Sequence, residues 1–335
     1  MAKISVITGA GAGVGRATAE EFARNGWNVA LLSRDPERLE RAAAELNAAY
    51  GVRTLPIPTD VADAEAMEAA ADRVERELGP IDAWINVAMS TVFSPVADLT
   101  AAEVERGTRV TYLGQVHGMM TALKRMRTRD RGTIVNVGSA LAYRSVPLQA
   151  IYCGAKAAIR GFTDSLRSEI IHDKLKVHLT MVDLPAVNTP QFDWALNKMG
   201  RKAMPVPPIY QPEACARVVV DVAQKPRRRT WVGEPTVFTI LGNRFGSRIA
   251  DAYLGRSGYK GQVDPALPKQ DLGANLFEPR PGDQGAHGSF DDRALSWSPQ
   301  IWAVRHRPQT VVLGLGALGA LAAAVPVVLK RVAAG

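Results

Sequence analysis

Residues Ile4–Gly15 read ISVITGAGAGVG, a short apolar run that passes directly into a glycine-rich turn. The run Ile4–Thr8 is typical of a strand buried on both faces, and the residues after the turn have a helical period. Because glycine has no side chain, Gly9, Gly13 and Gly15 would let an anion approach backbone N–H groups at a helix N-terminus. The stretch predicts a strand–turn–helix unit that can cradle a dinucleotide pyrophosphate, although its spacing departs from GxGxxG.

The alternation of short apolar runs with helical stretches continues to about residue 242. Helix starts are indicated by Asp35 before Pro36 and by Thr100 with Glu103 in a capping box. This pattern predicts an α/β fold, a doubly wound Rossmann-type sheet of seven parallel strands. The candidate strands are Ile4–Thr8, Val29–Ser33, Thr54–Ile57, Ala83–Asn86, Thr133–Val137, Val177–Val182 and Thr230–Val232.

Three regions are expected along the chain: a catalytic domain at 1–242, a partly irregular C-terminal extension at 243–308 and a hydrophobic helix at 309–331. Residues 264–299 are rich in proline, glycine and aspartate, which indicates an ordered wrap or a linker. Residues 310–329 carry no charge and are flanked by basic residues. Twenty helical residues span about 30 Å, enough to cross a bilayer, but the Ala/Gly content and Pro326 leave a packed helix as the alternative.

The composition narrows the function classes. A net charge of +8 suits nucleic acid, anionic lipid or a phosphate-rich cofactor. The basic run 227–229 lacks interleaved aromatic residues, so no nucleic-acid binding is predicted. The five histidines lack metal-ligand spacing, and no metal site is predicted. The two cysteines, Cys153 and Cys215, form no redox pair, and the first ten residues lack a leader, so we expect a location on the cytosolic side.

A second motif, YCGAK, places Tyr152 and Lys156 four residues apart on one predicted helix face, after Ser139 at a strand end. A phenol is a poor acid–base near neutral pH, but a nearby ammonium favours the phenolate and would lower its pKa. We therefore expect Tyr152 to be able to transfer a proton.

Taken together, these motifs resemble the short-chain dehydrogenase/reductase family. The shared elements, in family order, are TGxxxGxG at Thr8–Gly15, Asp60-Val61, Asn86, Ser139, and Tyr152 with Lys156. The similarity covers roughly Lys3 to Gly233. It implies a single Rossmann-type domain and an NAD(P)-dependent oxidoreductase acting on CH–OH groups.

The resemblance also implies roles for individual residues. Tyr152 would be the general acid–base, Ser139 would orient and polarise the substrate oxygen, and Lys156 would bind the nicotinamide ribose and tune Tyr152. Asp60 would contact the adenine. In the segment LPAVNTP, Val187 and Thr189 would meet the nicotinamide carboxamide. The full set of expected cofactor contacts is Gly9, Gly13, Val14, Gly15, Ser33, Arg34, Asp60, Val61, Asn86, Tyr152, Lys156, Val187 and Thr189.

Besides Ala186, which stands where the family has glycine, the chain departs from the family pattern in two places that matter more. Val87 and Met89 stand where NNAG is usual, so of that motif only Asn86 is kept. Thr111 stands where the family has a catalytic asparagine that holds a relay water at a kink in the helix. A threonine hydroxyl can still bond a water or the helix backbone, so we interpret Thr111 as altered relay geometry.

The sequence LLSRD at the end of the second strand bears on cofactor choice. Ser33 replaces the acid that would grip a ribose diol, and Arg34 could meet a 2′-phosphate, which favours NADP over NAD. The alternative is an arginine that merely flanks the Asp35 helix cap.

The expected function is hydride transfer between NADP(H) and a small-molecule ketone, aldehyde or alcohol. A lipophilic substrate is favoured, since the segment 190–210 contains Phe192, Trp194, Met199, Met204 and Ile209. A non-catalytic dinucleotide-binding regulatory or scaffold protein is the alternative, supported by the missing asparagine. Homo-oligomerisation and membrane association through the C-terminal helix stay open.

Overall fold

The computed structural model describes residues 2–268, 273–307 and 310. Its centre is a parallel sheet of seven strands in the order β3-β2-β1-β4-β5-β6-β7. The predicted α/β fold with a doubly wound sheet is therefore confirmed. The strands are β1 Ile4–Thr8, β2 Asn28–Ser33, β3 Thr54–Pro58, β4 Ala83–Asn86, β5 Gly132–Ser139, β6 Val177–Leu184 and β7 Arg229–Trp231.

Helices cover both faces of this sheet, as its buried strands require. Most of them follow a strand directly, and α4 and α5 are joined by a π-helical turn at Arg109–Leu113. The helices are α1 Gly13–Arg24, α2 Pro36–Tyr50, α3 Ala64–Glu77, α4 Ala101–Thr108, α5 Gly114–Arg129, α6 Ala150–His172, α7 Gln191–Trp194, α8 Pro212–Gln224, α9 Glu234–Ser257 and α10 Pro299–Arg305.

The core consists of two apolar layers, one on each face of the sheet. Successive side chains of a strand point to opposite faces, so Ile7 packs with α1, α2 and α8, while Val6 packs with α3 and α5. Trp84 is fully buried in the second layer. Truncating a side chain of this kind to alanine costs about 3–5 kcal/mol.

Polar caps begin several helices where the sequence predicts them. Asp35 accepts a hydrogen bond from the backbone N–H of Arg38 at 3.0 Å. Thr100 and Glu103 form the expected capping box, with both reciprocal bonds present. These bonds satisfy N–H groups that the first turn of a helix leaves unpaired.

The strand order reverses between β1 and β4, and a crevice opens at their carboxyl ends. Ligands of doubly wound sheets bind at such a switch point. The Thr8 hydroxyl ties the two strand ends together, since its oxygen accepts from the backbone N–H of Val87 at 3.0 Å and of Ala88 at 3.2 Å. The crevice therefore has a fixed width.

The C-terminal extension is an ordered wrap over this crevice. Ala294–Leu295 pairs with Ile209–Tyr210, and Val263–Pro268 pairs with Arg201–Ala203. The domain boundary expected at 242 falls inside α9. Apart from residue 310, the hydrophobic helix expected at 309–331 lies outside the described residues. Within the described part of the chain, no helix has both the length and the apolar character to cross a bilayer.

Candidate active site

A cavity of about 620 Å³ fills the crevice at the carboxyl ends of the strands. Most of the residues expected from sequence line it together. They are Gly9, Gly13, Val14, Gly15, Ser33, Arg34, Asp60, Val61, Ser139, Tyr152, Lys156, Val187 and Thr189. Asn86 and Thr111 lie outside this lining in the described part of the chain.

The glycine turn after β1 leaves no room for side chains. Gly9 has a φ of +71°, and a Cβ there would lie 2.9 Å from the Ala88 Cα. A Cβ on Gly15 would lie 2.1 Å from the carbonyl oxygen of Gly9. The turn thus presents bare backbone to the cavity at the start of α1, the surface that a pyrophosphate needs.

Beside this turn lies a polar pocket with excess positive charge. The Ser33 hydroxyl is buried and has no hydrogen-bond partner among the residues described. Burial and the neighbouring Arg106 lower the pKa of the Arg34 guanidinium, and burial also lowers the pKa of Arg38. An unpaired hydroxyl between crowded guanidinium groups fits an anionic group of a ligand.

The extension crosses this end of the cavity as a strap, residues 273–285. The Arg34 guanidinium donates to the carbonyl oxygen of Phe277 at 2.5 Å and also to that of Asn275. Arg38 donates through Nε to the carbonyl oxygen of Gly282 at 3.0 Å. Arg106 donates through Nε to Leu276 at 3.1 Å and through a terminal nitrogen to the Asp60 carboxylate at 2.6 Å. Sequence reasoning missed this role of the three arginines.

At the other end of the cavity stand the three residues expected to be catalytic. Ser139 is the last residue of β5, and Tyr152 and Lys156 lie one turn apart on α6. Lys156 is 1% exposed, and its ammonium donates to the carbonyl oxygen of Val137 at 2.7 Å. Its Nζ lies 5.5 Å from the centre of the Tyr152 ring. The structure therefore assembles the expected Ser–Tyr–Lys set.

The electrostatics of this set differ from the sequence expectation. Burial raises the pKa of Tyr152 to about 12, and the Ser139 hydroxyl opposes that rise. Burial lowers the pKa of Lys156 to about 7, and Asp183 opposes that fall. The expected lowering of the Tyr152 pKa is therefore wrong for the protein alone, because loss of hydration on burial is the largest influence on this phenol.

Thr111 lies in the π-helical turn, so a helix irregularity does occur at this position. Its hydroxyl is buried, donates to the carbonyl oxygen of Ser90 at 2.9 Å and accepts from the Ser90 backbone N–H at the same distance. This pair of bonds uses the one hydrogen of the hydroxyl, so in the protein alone Thr111 donates to the loop and not to its own helix. Thr111 thus fixes the loop that follows β4.

Asn86 is buried within the sheet. Its carbonyl oxygen accepts from the Trp84 indole at 2.9 Å, and its amide nitrogen donates to Asn136 at 2.9 Å. The second of these bonds joins β4 to β5 beneath the cavity. The cofactor contact that the resemblance implies for Asn86 stays a prediction.

A buried carboxylate behind the site was missed by sequence reasoning. Asp183, near the end of β6, accepts from the Tyr143 hydroxyl at 2.9 Å. Burial raises the pKa of Asp183 to about 6, while Tyr143, Arg229 and Lys156 oppose the rise. A Cβ on Gly138 would lie 2.2 Å from an Asp183 oxygen, so the carboxylate adjoins the backbone beside Ser139. Its one sequence signal is an acid inside the apolar strand VHLTMVDL.

The remaining wall of the cavity is largely apolar. Of the residues expected in the segment 190–210, three line the cavity: Phe192, Trp194 and Met204. Met199 and Ile209 are not in the described lining. Additional lining comes from Phe93 and from α9, chiefly Phe238, Tyr253 and Leu254, which sequence reasoning had not assigned to the site.

Comparison with known proteins identifies a family and structural neighbours that fit this geometry. A family model described as short chain dehydrogenase matches residues 3–198. This chain belongs to the short-chain dehydrogenase family. An alcohol dehydrogenase from the archaeon Thermococcus sibiricus, complexed with 5-hydroxy-NADP, is a structural neighbour with a TM-score of 0.59 and 26% identity. The match covers 69% of this chain and 95% of that one.

Curated relatives of this short-chain dehydrogenase are also described as oxidoreductases. The uncharacterized oxidoreductase YxnA of Bacillus subtilis is 28% identical over 274 residues, 80% of this chain and 76% of that protein. The uncharacterized oxidoreductase Mb1570 of Mycobacterium bovis is 30% identical over 236 residues, 68% of this chain and 65% of that protein. The chain is thus an NAD(P)-dependent oxidoreductase acting on CH–OH groups.

Proposed function

We propose that this short-chain dehydrogenase transfers hydride between NADP(H) and the carbonyl or alcohol group of a lipophilic small molecule, with Tyr152 as general acid–base. The observation that carries the proposal is the joint placement of Ser139, Tyr152 and Lys156 on one wall of a cavity whose other end is the glycine turn. A dinucleotide laid along such a cavity would bring its nicotinamide end towards Tyr152.

Two side chains act on the substrate oxygen in this proposal. The Ser139 oxygen accepts from the backbone N–H of Leu141 at 3.1 Å, which positions the hydroxyl that would donate to the substrate oxygen. The raised pKa of Tyr152 keeps the phenol protonated near neutral pH, which suits proton donation to a carbonyl oxygen during reduction. The cofactor, when bound, supplies or accepts the hydride.

Lys156 and Thr111 assist this chemistry without contacting the substrate oxygen. The Lys156 ammonium is fixed by Val137 close to the Tyr152 ring, where a positive charge stabilises the phenolate formed after proton transfer. The Thr111 hydroxyl is engaged by Ser90 in both directions. In this proposal Thr111 holds the loop that follows β4 and does not donate a proton to Tyr152.

The preference for NADP rests on the polar pocket at the end of β2. The unpaired Ser33 hydroxyl and the guanidinium of Arg34 lie where the resemblance puts the adenosine ribose. A 2′-phosphate would supply acceptor oxygens for both groups. The structural neighbour that holds 5-hydroxy-NADP supports the same choice.

A lipophilic substrate is supported by the side chains around the substrate end of the cavity. Phe93, Phe192 and Met204 line it together with Phe238 of α9. Such a wall offers little to a polyhydroxylated substrate, since each hydroxyl would lose its bonds to water without replacement.

The proposal is tested by a screen of NADPH oxidation and NADP⁺ reduction over lipophilic ketones, aldehydes and alcohols. Wild type should turn over at least one compound class, and the Tyr152→Phe variant should turn over none. If wild type oxidises or reduces only polyhydroxylated compounds, the substrate class is wrong. If Tyr152→Phe matches wild type, the assigned acid–base is wrong.

A further inference from the structure

Helix α9 exposes a row of large apolar side chains. Its members, here called the α9 stripe, recur at intervals of three or four residues on both sides of Gly246, where non-helical backbone angles (φ −138°, ψ 41°) kink α9 into two helical segments. Each is between 42 and 85% exposed. They are Phe238, Leu241, Phe245, Ile249 and Tyr253. A contiguous apolar row of this size on a folded surface is typical of an interaction site.

The stripe adjoins the entrance of the cavity. Phe238 and Tyr253 are largely exposed and also line the cavity, so they stand at its rim. Val206, across from α9, is likewise both exposed and part of the lining. Whatever covers the stripe therefore also faces the substrate end of the cavity.

The charges along the stripe are almost all positive. Arg244, Arg248 and Arg256 are exposed on α9, and Lys260 follows it. None of the four forms a salt bridge within the described residues. The single acid between residues 238 and 260, Asp251, is bound by Arg144 of the main domain. The surface beside the stripe therefore carries a net positive charge.

The positive charge beside the α9 stripe distinguishes between the three partners that could cover it. The uncharged segment 310–329 could cover the apolar side chains but would leave the arginines without counter-charge. A second copy of α9, packed symmetrically, would bring the same cations together, and like charges repel. An anionic phospholipid surface supplies both an apolar layer and negative headgroups at the spacing that an amphipathic helix requires.

We propose that α9 lies in the headgroup region of an anionic bilayer, with Phe245 and Ile249 among the acyl chains and Arg244 and Arg248 at the phosphates. The cavity rim then opens towards the bilayer, and a lipophilic substrate enters from it. Only this entry step rests on the proposed function; the membrane contact does not.

The contact is tested on the full chain with phosphatidylglycerol vesicles that carry brominated acyl chains, which quench tryptophan fluorescence on contact. Phe245→Trp places the probe in the stripe. Met120→Trp is the matched control, because Met120 is 60% exposed on α5, away from α9. After subtraction of the wild-type signal, we expect at least twofold quenching for Phe245→Trp and none for Met120→Trp. Equal signals from both variants would overturn the proposal.

The charge requirement is tested separately. Arg244→Glu with Arg248→Glu should weaken vesicle binding about tenfold or more, since each basic residue near an anionic surface contributes several-fold to affinity. Arg41→Glu with Arg127→Glu makes the same change in net charge on other exposed faces. A comparable loss in both double variants would show that overall charge, and not α9, directs binding. These vesicle assays do not measure turnover. If the protein binds vesicles as expected but fails the turnover screen, the membrane contact stands and only the proposed function is wrong.

Discussion

The backbone N–H of Gly13 donates to the carbonyl oxygen of Gly285 at a distance of 3.1 Å. Gly13 begins α1 and Gly285 ends the strap, so the extension is fastened to the turn that would receive the pyrophosphate. Asp283 lies 3.8 Å from the Arg16 guanidinium in the same place. The extension is thus part of the proposed cofactor site and not an appendage to it.

The strap is held at its centre by Leu276, which is buried against Val92 and Ile151. Leu276→Ala removes this anchor at a cost of about 2–5 kcal/mol. We expect KM for both NADPH and NADH to rise, because the strap is fastened to Gly13 in the turn that would receive the pyrophosphate common to both cofactors. Leu267→Ala, at an exposed position of the same extension, is the control and should change neither value.

Arg34→Ala separates two roles of this arginine. If Arg34 binds the 2′-phosphate, kcat/KM for NADPH falls about tenfold to a hundredfold, the size of a charged hydrogen bond, while kcat/KM for NADH stays close to wild type. An equal fall with both cofactors would mean that Arg34 serves only the strap carbonyls of Asn275 and Phe277. Arg41→Ala, exposed on α2, controls for loss of charge.

Tyr152→Phe should abolish turnover while cofactor affinity stays within a few-fold of wild type. The hydroxyl transfers the proton but contributes little to holding the dinucleotide. Steady-state kinetics and fluorescence titration with NADPH measure the two effects. Tyr50→Phe is the matched control, since its hydroxyl bonds Glu20 far from the cavity. Wild-type rates in Tyr152→Phe would contradict the proposed mechanism.

Asp183→Asn should shift the pH dependence of the reaction. The carboxylate of Asp183 raises the pKa of Lys156 against the effect of burial, so its removal moves that pKa below about 7. Lys156 then loses its proton at lower pH, and the alkaline limit of the kcat/KM profile moves to lower pH. Asp164→Asn removes another carboxylate that binds Arg229 and should leave the limit in place. An unmoved limit in Asp183→Asn would show that the ammonium is not required.

The hydrophobic segment at 309–331 is expected to attach the enzyme to a membrane with the catalytic domain on the cytosolic side. The full chain and a version ending at Arg307 are compared by cell fractionation, each with a high-salt wash. Salt screens a surface contact such as that of α9 but does not extract a spanning helix. The full chain should stay in the membrane fraction after the wash, and the shorter version should be released. Full release of both would show that the segment is not an anchor.

The sheet and the glycine turn could be predicted because both leave local patterns. Apolar runs such as Ile4–Thr8 report strands buried on two faces, and Gly9 and Gly15 report a backbone with no space for a Cβ. Tyr152 and Lys156 were predicted as a pair because their spacing fits one helix face, and Ser139 was added through the family resemblance. Each of these patterns involves residues that lie close together in the sequence.

The strap and the electrostatics could not be predicted in the same way. The strap binds Arg34 and Arg38 through main-chain carbonyl groups, which every residue carries, so its side chains show no pattern. The pKa of Tyr152 depends on how much water the finished cavity excludes, a property of the whole fold. Thr111 was placed at the correct kink, but its partner Ser90 is fixed only by the path of the loop after β4.

The strap also bears on how the two reactants reach each other. It covers the end of the cavity beside Arg34, whereas the rim formed by Phe238 and Tyr253 lies at the other end. In the proposed function, the dinucleotide and the organic substrate would therefore use separate entrances, and neither would have to leave before the other could arrive.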